Sequence, residues 1–208
     1  IFSSARFANV AFSQGSILEN WIERIGSFEP LSCPIDCHRY FITMEEAGFI
    51  CLVAAFLTSS KDIVVPSFSK EGDLVELQLL LEQILSNYNY KPKYFENETE
   101  LLDWSNSNSF SGSWPVLLTP LDTKGEKPFE EFVGKNEIVS DGDFDNLKIV
   151  HHDSFLKMEE CLKLIESFEN LFGSKALNFN AIIKIISKYE PNFVNSRPSS
   201  RHNLDDRI

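Results

Sequence analysis

The chain has 208 residues and a mass of 23.8 kDa, enough for one large domain or two small ones with a real core. With 43% apolar and 24% charged residues its composition is that of a globular protein, while 19 basic against 31 acidic side chains leave a net charge of −12, which argues against holding a nucleic-acid backbone. The longest apolar run covers nine residues, 49–57, and a bilayer span needs about 20, so no membrane span is expected.

The first residues carry no basic stretch followed by an apolar one, so they are not expected to be a signal peptide, and without an initiator Met the chain reads as a piece of a longer protein. Residues 4–12 read as a strand that closes on Ser13-Gln14-Gly15. Ser16 with Glu19 forms a capping box, and Ile17, Leu18, Trp21, Ile22 and Ile25 follow helical spacing up to Gly26. Residues 29–37, broken by Pro30 and Pro34, read as a loop or edge segment, and residues 39–42 as a short extended piece. Thr43 with Glu46 opens a mostly buried helix to about residue 58. Residues 63–65 are a buried strand. Asp73 with Glu76 is expected to cap a third helix over 74–87. Then come a strand at 93–95, a helix at 98–104, a polar loop at 105–113 and a strand at 114–121. A polar turn follows at 122–128, with a short acidic helix at 129–132 and a strand at 147–150. Two amphipathic helices over 154–172 and 178–189 end the pattern before a polar tail. Strands alternating with helices argue an α/β fold over 1–150, followed by a helical C-terminal subdomain and tail over 151–208.

Four cysteines, at 33, 37, 51 and 161, make no disulfide framework and suit a reduced, cytoplasmic setting. Cys33, Cys37 and His38 suggest zinc at first sight, but the second close pair of a structural zinc site is missing, so buried thiols and no metal are expected. His151-His152 reads as a polar turn before a helix. No glycine-rich phosphate loop and no serine-centred nucleophile motif occurs.

Three segments carry the functional reading. Arg6-Phe7-Ala8-Asn9-Val10 runs off a strand into Ser13-x-Gly15-Ser16 at a helix start, a place where open α/β sheets bind ligands. Asn9 offers an amide there, and the Gly15 and Ser16 N–H groups are expected to meet an anion. Arg39-Tyr40-Phe41-Ile42-Thr43-x-x-Glu46 sets a guanidinium suited to bidentate phosphate contact. Asp122-Thr123-Lys124-Gly125-Glu126-Lys127-Pro128-Phe129-Glu130-Glu131 offers a carboxylate able to accept from a vicinal diol. Glu130-Glu131 on its own reads as the acidic first turn of a helix.

Together, in this order, the segments resemble the UDP-N-acetylglucosamine 4,6-dehydratases of bacterial surface-polysaccharide and nonulosonic-acid biosynthesis, a branch of the extended short-chain dehydrogenase/reductases. The resemblance covers nearly the whole chain, including the closing Asn203-Leu204-Asp205-Asp206-Arg207-Ile208. It implies the C-terminal part of a Rossmann-type α/β fold, with residues 1–150 as the substrate-binding part of a lyase. That lyase takes water from a UDP-sugar after transient oxidation at C4, with NAD or NADP bound mainly by residues upstream of this chain. It implies that Phe7 lies near the nicotinamide and that Asn9 and Arg39 contact the diphosphate. Glu126 would contact the uridine ribose, with Lys124 or Lys127 as a substitute phosphate partner. The related enzymes often have an Arg where this chain has Thr123. No catalytic residue is expected in the chain itself, and the intact enzyme is expected to be a homo-oligomer. A non-catalytic sugar-nucleotide-binding module and a UDP-sugar epimerase or decarboxylase are the alternatives.

Overall fold

A computed structural model describes residues 2–69, 72–107, 110–121, 129–134, 137–151, 156–173 and 178–189. These fall into two compact units, one within residues 1–152 and one within 153–199. In chain order the first unit carries β1 (Ser4–Ala5), β2 (Asn9–Val10), α1 (Ile17–Gly26), β3 (Leu31–Pro34), β4 (His38–Ile42), α2 (Met44–Phe56), β5 (Asp62–Pro66) and β6 (Leu74–Glu76). It continues with α3 (Leu77–Asn87), β7 (Lys91–Phe95), α4 (Glu98–Ser107), β8 (Ser113–Thr119), β9 (Ile138–Asp141) and β10 (Leu147–His151). The second unit carries α5 (Met158–Phe172) and α6 (Phe179–Tyr189). The expected α/β class holds, with parallel strand pairs beside helices.

Three sheets share the first unit. One has the order β3-β8-β7 with both pairs parallel. A second has β4 between β2, parallel to it, and β6, antiparallel. The third has the order β1-β5-β10-β9, parallel only between β1 and β5. Two apolar clusters hold them. Leu18, Trp21 and Ile25 of α1 and Leu81 and Leu85 of α3 pack with Leu31, Cys33, Trp114 and Val116 of the β3-β8-β7 sheet. Ala47, Ile50, Val53 and Ala54 of α2 pack with Tyr40, Ile42, Val64 and Leu147.

Several local expectations yield to long-range contacts. Residues 4–12 are two short strands in different sheets, not one. The segment read as a loop at 29–37 contains β3, whose Leu31 and Cys33 alternate inward and are fully buried. Two buried indoles fix it: Trp21 Nε1 donates to the Ser32 carbonyl at 2.8 Å and Trp114 Nε1 to that of Glu29 at 3.0 Å. Pro34 is tolerated because it ends an edge strand. Residues 74–76 are strand, not the first turn of a helix, because they supply β4 with an antiparallel partner (Arg39↔Val75). Asp73 instead accepts from the Ser69 N–H at 2.8 Å, and Glu76 makes no side-chain cap on α3. Residues 129–132 form no helix. Phe132 packs on Tyr40 and Phe68, and its carbonyl accepts from Arg6 Nη1 at 2.8 Å. The exposed edge strand β9 has no counterpart in the sequence reading. His151 lies in β10, not in a turn.

Candidate functional site

The site begins with a turn. After β2, Ser13 N–H donates to the Val10 carbonyl at 3.2 Å and Ser16 N–H to the Ser13 carbonyl at 2.9 Å. Gly15 closes it at φ +78°, a conformation that disfavours any residue with a Cβ. Ser16 then caps α1, its hydroxyl accepting from Glu19 N–H at 3.2 Å. Glu19 completes a variant of the expected capping box: its carboxylate reaches back to Gly15 N–H at 2.6 Å, one residue beyond the cap. The Gly15 and Ser16 amides are thus engaged inside the turn. They are not presented to a ligand, contrary to the sequence reading. Ser16 contributes a hydroxyl, which can donate while it accepts the cap bond.

β4 supplies the cation. Its residues alternate, so Tyr40 and Ile42 are buried in the second cluster while Arg39 and Phe41 face the other way. Thr43 and Glu46, the end of the same segment, form a complete capping box for α2, at 3.1 Å and 2.7 Å. Half of that segment is therefore architecture, and Arg39 is its chemical member.

These pieces meet. A cavity of about 380 Å³ between the two apolar clusters is lined by Asn9 and Val10 from the end of β2, by Gly15, Ser16 and Ile17 at the start of α1, by Pro34 at the end of β3, and by Arg39 and Phe41. Asn9, Gly15, Ser16 and Arg39, expected from sequence to act together, share this cavity; strand ends beside a helix start form its wall, as in the general rule for α/β ligand crevices. Phe7 does not line it and is substantially exposed. Thr123, Lys124, Glu126 and Lys127 lie outside the described residues, as do His152 and the tail.

One residue that contacts the site without lining its cavity has no counterpart among the site residues of the sequence analysis. Glu130 comes from 121 positions downstream to accept from Asn9 Nδ2 at 3.2 Å, and its other oxygen lies 3.8 Å from Arg39 Nε. Asn9 Nδ2 also donates to the Tyr40 carbonyl at 3.1 Å, and Arg39 Nη1 to the His38 carbonyl at 2.8 Å. The only sequence signal for Glu130 was its membership of the Gly-Glu-Lys-x-x-Glu-Glu element, and that signal was absorbed by the helix reading. Arg6 pins the backbone downstream of Glu130 by a two-pronged pair with Glu137, which strengthens the guanidinium's hold on its proton.

Other candidates carry less. A more open hollow of about 580 Å³ between α3 and β7 contains none of the three segments, and its Tyr94 hydroxyl is already committed to Glu82 at 2.8 Å. Ser140, His151 and Asp62 line up across three strands: Ser140 Oγ lies 2.7 Å from His151 Nε2, and His151 Nδ1 lies 2.9 Å from Asp62. Asp141 and Asp143 line the adjoining small cavity, a setting that opposes an oxyanion, so the row acts as a cross-strand brace. Cys33 is fully buried, and burial, then Cys37 and Glu76, push its thiol up to about 12, which makes it an inert packing residue. Among the described residues no cluster of three or more His, Cys, Asp or Glu is placed to hold a metal, and no helix is long and apolar enough to cross a membrane.

The cavity is a strand-end crevice of an α/β unit, lined by an amide, a guanidinium and a serine-capped helix start. Comparison with known proteins places it: residues 1–152 match the model of the polysaccharide biosynthesis protein family, and the chain belongs to that family. It is 27% identical over 177 residues to the capsular polysaccharide biosynthesis protein CapD of Staphylococcus aureus, covering 85% of this chain and 26% of CapD. It is 28% identical over 154 residues to the uncharacterized membrane protein MJ1061 of Methanocaldococcus jannaschii, covering 72% of this chain and 39% of that protein. The chain thus spans about a quarter to two-fifths of the length of these relatives. The X-ray structure of Pen from Bacillus thuringiensis superposes with a TM-score of 0.49 and 16% identity, over 81% of this chain and 50% of that one.

Proposed function

We propose that this chain binds the UDP moiety of a nucleotide sugar and forms the substrate-binding portion of a UDP-N-acetylglucosamine 4,6-dehydratase of the extended short-chain dehydrogenase/reductase type. In this reading it serves surface-polysaccharide or nonulosonic-acid biosynthesis in the cytoplasm, as part of a homo-oligomer. The observation that carries the reading is the convergence of Asn9 and Arg39, from strands 30 positions apart, on one cavity beside a capped helix start. A guanidinium and a primary amide are donors matched to diphosphate oxygens, and Ser16 adds a hydroxyl. Family membership and the likeness to CapD support the polysaccharide context.

The residues here do not fit the dinucleotide cofactor. The glycine turn from β2 into α1 has its Gly15 and Ser16 amides committed to Glu19 and to the Ser13 carbonyl, so it cannot cradle a pyrophosphate through them. No Tyr-x-x-x-Lys pair occurs in the chain. NAD or NADP is then held by other residues, and the part played by this chain is to fix the UDP end. Holding that remote end converts binding into orientation of the sugar for the reacting groups.

The test is isothermal titration of the chain with UDP, UDP-N-acetylglucosamine and GDP. Saturable binding of the two uridine ligands, stronger than that of GDP and lost in Arg39→Ala, is expected. Absence of saturable binding, or binding indifferent to Arg39, would overturn the assignment.

A further inference from the structure

We infer that Glu130, which lines a neighbouring hollow and reaches Asn9 and Arg39 from there, is a specificity-determining residue of the site: its carboxylate occupies the anion seat between Asn9 and Arg39 and is displaced by a ligand's diphosphate. The inference rests on the reading of the cavity as a nucleotide-sugar site.

The contacts show a seat that accepts anions. The two carboxylate oxygens of Glu130 are divided between an amide donor, at 3.2 Å, and a guanidinium, at 3.8 Å. These are the two donor types that would receive phosphate oxygens. The same distances show a loose tenant. The Asn9 bond is at the long end of the normal range, and the Arg39 separation is an ion pair without a direct hydrogen bond. The Glu130 side chain is 39% exposed, which puts the pair among the weak, solvent-screened ones.

Glu130 and a diphosphate cannot share the seat, because like charges a few ångströms apart repel, and more strongly in a half-buried cavity than in water. The site is built for exchange. Asn9 keeps its bond to the Tyr40 carbonyl when Glu130 leaves, so its amide stays oriented and one N–H turns over to the ligand. Arg6 holds the Phe132 carbonyl and Glu137, so the nearby backbone is anchored while the three-bond Glu130 side chain swings. A ligand carrying a diphosphate displaces the carboxylate; a neutral nucleoside gains nothing from the seat. Glu130 therefore sets a charge threshold for entry.

The test is titration of wild-type, Glu130→Gln, Glu130→Ala, Arg39→Ala and the Arg39→Ala/Glu130→Gln double variant with UDP, inorganic pyrophosphate and uridine. Removing the competing charge is expected to tighten UDP and pyrophosphate by about three- to tenfold, the scale of a partly exposed ion pair. Uridine should be unaffected, and the gain should vanish without Arg39. Arg39-dependent binding of UDP to wild type that Glu130→Gln and Glu130→Ala leave unchanged or weaken would overturn the displacement and spare the cavity. Failure of every variant to bind UDP and pyrophosphate would overturn both.

Discussion

Arg39→Ala isolates the strongest single contact of the proposed site. Only about a fifth of the Arg39 side chain is solvent-exposed, and its Nη1 is oriented by the His38 carbonyl, so the guanidinium enters binding already ordered. A charge-assisted, two-pronged contact to a phosphate is worth about 2–3 kcal/mol when removed, which is roughly 30- to 150-fold in Kd. The loss of the Glu130 pair costs the fold no more than about 1 kcal/mol, since that carboxylate returns to water. Binding and stability therefore separate. Titration calorimetry with UDP should show the drop, and urea unfolding of the same variant should show a midpoint close to wild type. A variant that binds UDP within threefold of wild type would refute the placement of Arg39 on the diphosphate. One that unfolds several kcal/mol more easily would show that Arg39 is structural.

The other expectations concern the scaffold and its chemistry. Gly15→Ala should cost about 1 kcal/mol by denaturant unfolding, because φ is +78° although the space around the new Cβ is open; an unchanged midpoint would contradict the turn. Thr43→Ala removes one arm of the α2 capping box and should also cost about 1 kcal/mol. In the folded protein Cys51 should react with a thiol reagent while Cys33 and Cys37 react only after unfolding, since the first is exposed and the other two are buried. The Cys33 thiol keeps its proton to about 12 in the folded state against an ordinary 9.0; the unfolded state releases its proton first, so stability should fall as pH rises above about 9. With NAD and UDP-N-acetylglucosamine these 208 residues alone should form no 4-keto sugar; detection of one would place catalytic groups here.

Where structure is set locally, the residues announce it. Ser16 and Thr43 cap α1 and α2 as their spacing to Glu19 and Glu46 indicates, and the apolar stripe of α1 is its buried face. Where a distant partner decides, the local pattern misleads. Residues 31–34 are a strand because β8 pairs with them and Trp21 hydrogen-bonds Ser32, while Trp114 holds Glu29 just upstream. Leu74 starts a strand because β4 needs a neighbour. Residues 129–132 stay irregular because Arg6, Tyr40 and Phe68 claim Phe132. The site divides the same way. Asn9, Gly15, Ser16 and Arg39 were legible as candidates because their segments lie at strand ends or at a helix start, and one cavity collects them. Glu130 was not, because its role depends on a contact spanning 121 positions. The engaged Gly15 amide was hidden by one residue of difference in where Glu19 reaches.

The central claim is that Asn9 and Arg39 hold the diphosphate of a UDP-sugar. A crystal structure of the chain grown with saturating UDP tests it most directly. The diphosphate is expected in the cavity beside α1, within hydrogen-bonding distance of Asn9 Nδ2 and the Arg39 guanidinium, with the Glu130 carboxylate moved out of its present contacts. A cavity without nucleotide at saturating UDP, or a nucleotide bound elsewhere with Glu130 still on Asn9, would contradict it.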